Sequence, residues 1–240
     1  MKTLILICSI LITCTTAAYA ETGLEVKEID QAATNQVIMI GASYLQGWPL
    51  KNIGCLPVVN KGVNGETSTQ VRARFDADVI SAKPAAVLIW GHINDFSNAP
   101  MAQELQTRQT AIDNLKQMIE SAREAGIIPL VATEITFGMP TDIKSRIMQL
   151  IGSIMGKRSY QDYISSNVLA INEWLRDYAE AQEISILEIE RLMTNAEGNR
   201  KQGYYTEDLS HITEQAYQDL QSFAQPILQK ALIEKHGLCN

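Results

Sequence analysis

The chain has three histidines, His92, His211 and His236. His236 lies four residues from the C-terminus and reads as a surface residue. His211 closes the tetrapeptide Asp208-Leu209-Ser210-His211. An Asp three residues before a His can fold back within one turn. Its carboxylate then reaches the imidazole Nδ1 and leaves Nε2 free as a base. The same residues could instead cap a following helix, with Asp208 or Ser210 as the cap. A base needs a nucleophile, and Ser43 in Gly41-Ala42-Ser43-Tyr44 directly follows an apolar run. Gly41 allows a sharp turn that would present the hydroxyl; an ordinary serine N-cap is the alternative. Two further residues could donate to a developing oxyanion. Gly65, within Asn60–Ser68, can offer its N–H with no Cβ in the way, and Asn94, within Gly91-His92-Ile93-Asn94-Asp95, can offer its side-chain amide. Taken singly, these two segments could be a plain glycine turn and an Asn-Asp turn.

Residues so distant in sequence act together only if the fold brings them to one edge. Val37–Ile40, Ala85–Trp90 and Ile127–Ala132 are continuous apolar runs of the kind that form buried parallel strands. Ile184–Ile189 is a fourth candidate and Pro57–Val59 a short fifth. Between them, Ala111, Ile112, Leu115, Met118, Ile119 and Ala122 follow helical spacing, and Gly126 is placed to stop that helix. Val71, Phe75 and Val79 mark an earlier helix, and Ile164 through Tyr178 a later one. A last helix spans about Thr213 to Lys235, and Pro226 is expected to kink it. Segment 137–160 reads as a cap over the site or as a plain helical insertion. Strands alternating with helices predict an α/β fold: a three-layer sandwich around a mainly parallel five-stranded sheet. Ligands in such sheets bind beyond the carboxyl ends of the strands. Gly41-Ala42-Ser43 and Gly91 through Asp95 follow two of those ends. Tyr44, Trp48 and Phe96 either flank the site or pack in the core.

These four blocks, in this order, resemble those of the SGNH hydrolases, the GDSL-type esterases and lipases. Gly41-Ala42-Ser43 is similar to the first block, Asn60–Ser68 to the second, Gly91–Asp95 to the third and Asp208–His211 to the last. Two departures stand out. The family usually has Asp before the serine where this chain has Ala42, and Gly-x-Asn-Asp where this chain has both His92 and Ile93 before Asn94. The resemblance implies a flavodoxin-like SGNH hydrolase fold and a Ser–His–Asp acyl hydrolase acting through an acyl-enzyme. Ser43 would be the nucleophile, His211 the base and Asp208 its orienting acid. Ser43, Gly65 and Asn94 would form the oxyanion hole. Activity is then expected to fall in acid as the imidazole base protonates. No metal or organic cofactor is expected. The substrate would be a small-molecule, lipid or acylated-carbohydrate ester. A non-catalytic binding protein on the same fold and an acyltransferase with the same triad are the rival readings.

The composition agrees with one globular domain. Of 240 residues, 46% are hydrophobic and 20% charged, with a net charge of −7. That acidic balance argues against a nucleic-acid partner, which needs a concentrated basic face. Residues 1–20 read as a signal peptide: Lys2, an apolar run from Leu4 to Cys14, then Ala18-Tyr19-Ala20. The run is shorter than the roughly 20 residues of a membrane span. A lipoprotein modified at Cys14 is a lesser alternative. The expected product is an exported, periplasmic or secreted domain, residues 21–240, with no transmembrane segment. It keeps two of four cysteines, Cys55 and Cys239, which could pair in an oxidising compartment or remain thiols. Oligomeric state is not legible in the sequence.

Overall fold

Apolar runs that end in glycine or in a polar turn become the strands. The computed structural model describes residues 34–140, 142–196 and 198–239; the expected signal peptide and Cys14 lie outside them. Ala32–Asn240 form one compact unit. Its strands are β1 (Thr34–Gly41), β2 (Asn52–Ile53), β3 (Leu56–Gly62), β4 (Pro84–Trp90), β5 (Ile128–Ala132) and β6 (Ser185–Leu187). The helices are α1 (Ser43–Gly47), α2 (Ser68–Ala73), α3 (Ile93–Asn98), α4 (Glu104–Glu124), α5 (Ile143–Ile154), α6 (Tyr160–Ala181), α7 (Ile189–Met193) and α8 (Glu214–Gln229). Every residue of β4 is buried, as are the last five of β1. That is why both read as unbroken apolar runs.

The sheet order is β2-β3-β1-β4-β5-β6. All pairings are parallel except β2 with β3. The sheet therefore has six strands, one more than the five expected. The extra strand, β2, is two residues long and pairs with β3 across a tight turn in which Gly54 has φ +59°. So short a pairing leaves no periodic signal. The expected strand at Ile184–Ile189 is shorter, because the chain leaves the sheet after Leu187 and enters α7 at Ile189. From β1 the chain first moves to β3 on one side, then crosses to β4 on the other. The crevice of such a sheet lies at that reversal, between the carboxyl ends of β1 and β4.

Helix boundaries follow local chemistry. Gly126 ends the α4 segment in a left-handed conformation (φ +73°). Thr67 and Gln70 form a capping box on α2. Thr213 caps α8 by accepting from Ala216 N–H, so neither Asp208 nor Ser210 is that cap. Pro226 lies inside α8, and a wider turn with i→i+5 hydrogen bonding (Lys230–Glu234) continues it. α4 packs with α2, α3 and α6, whereas α8 lies against β2, β6 and α7.

Cys55, in the β2–β3 turn, is bonded to Cys239 with Cα atoms 6.0 Å apart. The bridge ties the C-terminal tail to the sheet edge across 184 residues. Reduction, or Cys239→Ser, is expected to lower stability by about 2–4 kcal/mol, measured as a fall in the urea midpoint. An unchanged midpoint would mean that the bridge constrains nothing the fold does not already hold.

Candidate active site

Backbone approaches too close for any side chain set the positions of Ser43 and Asn94. A Cβ on Gly41 would stand 1.7 Å from the Trp90 carbonyl oxygen, and one on Gly91 would stand 2.9 Å from Ala42 N. The ends of β1 and β4 thus touch through glycine. This gives Gly91 a role despite the extra residue that follows it. Ser43 is the first residue of α1, with Ala42 as the cap position. It is not an ordinary serine N-cap. Val63 N–H donates to Gly41 C=O at 3.0 Å, and Arg74 donates to the carbonyls of Gly41 and Lys61. The loop after β3 is thereby fixed to the loop after β1.

Gly65 has φ +77°, a conformation that favours glycine, and a Cβ there would meet nothing within 4 Å. The glycine is needed for its backbone rather than for space. Asn94 donates one side-chain N–H to Glu66 C=O at 3.0 Å, beside Gly65. The second N–H of an Asn amide is thereby aimed by the first. Below them, the buried Asp95 carboxylate accepts from Ser68 N–H (2.8 Å) and Ser68 Oγ (2.6 Å), and Asn114 of α4 donates to the same hydroxyl (2.9 Å). The two candidate oxyanion segments are therefore one hydrogen-bonded unit.

Asp208 and His211 form the expected local pair. His211 Nδ1 lies 2.5 Å from Asp208 Oδ2. Asp208 Oδ1 accepts from Ser210 N–H, His211 N–H and the Thr206 hydroxyl, at 2.8, 2.9 and 2.8 Å. Partial burial works against this charge, but the donors of His211, Ser210 and Thr206 outweigh it. They hold the carboxyl below the usual carboxylate range. Both side chains are about half exposed, 48% for His211 and 50% for Asp208. Leu209, between them, adopts φ +62°, which is uncommon for a residue with a Cβ. The Gly138 N–H on its carbonyl (2.6 Å) and its own N–H on Thr206 C=O (3.0 Å) hold it there. The neighbour of Ser43 meets this loop: the Tyr44 hydroxyl donates to Ser210 C=O at 3.1 Å, and its ring stands edge-on to His211 at 6.4 Å.

A sequence profile of the GDSL-like lipase/acylhydrolase family matches residues 41–218, the stretch that holds all four blocks. The chain belongs to this family. Eighty residues are 32% identical to the uncharacterized lipoprotein YqeF of Bacillus subtilis (strain 168), covering 33% of either chain. The chain thus spans about a third of the length of that curated relative. Among solved structures, the fold is similar to a GDSL-like lipase from Bacteroides thetaiotaomicron VPI-5482, with a TM-score of 0.64 and 21% identity over 82% of this chain and 89% of that one. It is also similar to an acetyl-xylooligosaccharide esterase from Geobacillus Stearmophilus, with a TM-score of 0.57 and 15% identity over 82% and 94%.

Beneath the site of this GDSL family member lies a buried polar cluster that sequence reasoning missed. Arg200, only 2% exposed, donates through one terminal nitrogen to Ser210 C=O and through the other to the Tyr44 hydroxyl at 3.1 Å. Glu134, fully buried just past β5, accepts from His92 N–H at 3.1 Å and Ile135 N–H at 3.0 Å. Burial pushes its carboxyl up to about 7, against those N–H groups and the Arg200 charge, which favour the carboxylate. Burial pushes His92 down to about 3, so its imidazole is neutral. His92 is a packed residue. Trp48 and Phe96 are likewise core side chains, as is Tyr44, which is buried against Arg200, Ser210 and His211 among others. Glu134 had a visible signal, an acid two residues past the apolar run Ile127–Ala132. Arg200 had none, being one arginine in a polar loop.

These groups make opposite contributions across mildly acidic pH. The stability contributed by neutral His92 is complete above the ordinary value of 6.5 and is lost as pH falls toward about 3. That contributed by Glu134 is complete below the ordinary value of 4.5 and is lost as pH rises through about 7. Glu134→Gln is therefore expected to climb in stability more steeply than the parent between about pH 4.5 and 6.5 in urea unfolding; parallel curves would refute this. Arg200→Met, which leaves the buried Ser210 carbonyl without its donor and lets Glu134 take up a proton, is expected to cost about 1–3 kcal/mol in the same unfolding measurement.

Proposed function

We propose that this acylhydrolase is an exported serine esterase that cleaves carboxylic esters through an acyl-enzyme. The observation that carries the reading is the Asp208–His211 pair, with one carboxylate oxygen on Nδ1 and the other held by three donors. An imidazole oriented in this way keeps Nε2 as its basic nitrogen. His211 takes the proton from the Ser43 hydroxyl as Ser43 attacks the ester carbonyl. Asp208 stabilises the imidazolium that forms. The amides of Ser43 and Gly65 and the Asn94 side chain receive the oxyanion. Collapse of the tetrahedral intermediate breaks the bond to the alkoxy group, and His211 returns the proton to the departing alcohol. Water then attacks the acyl-enzyme by the same path and releases the acid. Export is supported by the signal-peptide pattern of residues 1–20 and by the Cys55–Cys239 bridge, since disulfides persist in oxidising compartments. Candidate substrates are small-molecule, lipid and acylated-carbohydrate esters.

The deciding measurement is hydrolysis of p-nitrophenyl esters from acetate to palmitate. Ser43→Ala and His211→Ala are each expected to lose on the order of 10⁴-fold or more in kcat. Asn94→Ala is expected to lose about 10²- to 10³-fold. Folded wild type that neither turns over nor reacts with a fluorophosphonate would make the fold a binder. Product formed faster with an alcohol acceptor than with water would make it an acyltransferase.

A further inference from the structure

A surface helix of a globular protein ordinarily turns its apolar stripe inward. α5 does the reverse. At the helical repeat, Ile143, Ile147, Leu150, Ile151 and Ile154 fall on one stripe, and Met148 lies beside it, with Met155 just past the helix end. All seven side chains are between 45% and 78% exposed. No other stretch among the described residues exposes large apolar side chains so densely. Patches of this kind mark an interaction site.

The charge around the patch also departs from that of the whole chain. Residues 141–158 carry Lys144, Arg146, Lys157 and Arg158 against Asp142 alone, a local excess of three positive charges in a chain of net −7. Arg158 is paired with Glu104, and Lys144 is exposed on α5 itself. The root of the segment is fastened to the loop that carries His211. Gly138 N–H donates to Leu209 C=O, the Tyr205 hydroxyl donates to Met139 C=O at 2.9 Å, and Phe137 stands edge-on to Tyr160.

We propose that α5 is an interfacial helix that seats the protein on an anionic lipid surface. Its isoleucine and leucine stripe enters the boundary of the acyl chains and its exposed Lys144 remains among the headgroups. A second copy fits the patch less well: a two-fold pairing through α5 would bring two basic helices together, and like charges oppose that contact. An anionic surface complements the same charges. The proposal rests on the esterase reading only in naming a lipid–water interface as the place where the ester is met.

The test uses the chain from Glu21 onward, which contains the whole compact unit. Co-sedimentation is measured with vesicles of dioleoylphosphatidylglycerol and of dioleoylphosphatidylcholine, in a Ser43→Ala background so that no lipid can be consumed. The anionic vesicles are expected to bind roughly tenfold better than the zwitterionic ones. The combined Ile147→Ser, Ile151→Ser and Ile154→Ser variant is expected to bind the anionic vesicles roughly tenfold less than the parent. Lys144→Glu should reduce binding through charge alone. With Ser43 restored, the triple variant should retain the parent's kcat/KM for soluble p-nitrophenyl acetate. Equal binding by parent and triple variant, or no binding by the parent, overturns the proposal. So does a dimer in sedimentation velocity that the triple variant abolishes while vesicles go unbound. If vesicle binding behaves as expected but no ester is cleaved, docking stands and the esterase reading falls.

Discussion

The guanidinium of Arg200 is buried under the candidate site, away from bulk solvent. Its terminal nitrogens are satisfied by groups adjacent to candidate site residues: the carbonyl of Ser210, which precedes His211, and the hydroxyl of Tyr44, which follows Ser43. A buried cation without such partners would be costly, so its position fixes theirs. Glu134, just past the end of β5, feels this charge, which favours its carboxylate against burial, and at the same time accepts from the amide of His92 at the end of β4. One polar cluster thus joins the ends of β1, β4 and β5 to the loop before α8. Hydrogen-bonded clusters in a low dielectric permit few arrangements. That is the property a site assembled from four separate loops needs.

Above the cluster, the sheet supplies the edge. The chain reverses direction between β1 and β4, and both strands end in glycines whose backbones nearly touch. Ala42 belongs to this arrangement. It is buried, and its Cβ lies 3.3 Å from where a Cβ on Gly91 would stand. A small residue before Ser43 therefore suits the packing between the two blocks. The support that an Asp could give the first loop comes here from Arg74, on the Gly41 carbonyl, and from Asn60, on the carbonyls of Leu45 and Trp48.

What could be read from the sequence was whatever is local. The Asp208–His211 pair lies three residues apart, so its geometry is a property of one turn, and the tetrapeptide alone suggests it. Buried strands such as β4 announce themselves by being apolar throughout, and Gly126 ends a helix for a reason internal to its own residue. β2 left no trace, because two residues have no period. The Arg200–Tyr44 contact joins residues 156 positions apart. Nothing in the neighbourhood of either residue distinguishes it from a loop arginine or a core tyrosine. The choice between an N-cap and a candidate nucleophile at Ser43 was likewise open in sequence. The structure excludes the cap, because α1 starts at Ser43 itself and not one residue later.

α5 marks a different limit. Helical spacing can establish a stripe of isoleucines, but the direction in which the stripe faces is set by what the rest of the chain leaves uncovered. Here the core is already closed by α4, α6 and α8, whose apolar faces meet the sheet or one another. An outward apolar face on an acidic chain carries a cost in water that packing within this unit does not recover. Its concentration in one helix, bounded by lysines and rooted beside the His211 loop, makes it a feature of the site's surroundings rather than a residue of poor packing. The same reasoning separates two features of the molecule: the buried polar groups hold the candidate site residues in place, and the exposed apolar stripe, as the proposed interfacial helix, would set the surface on which they act.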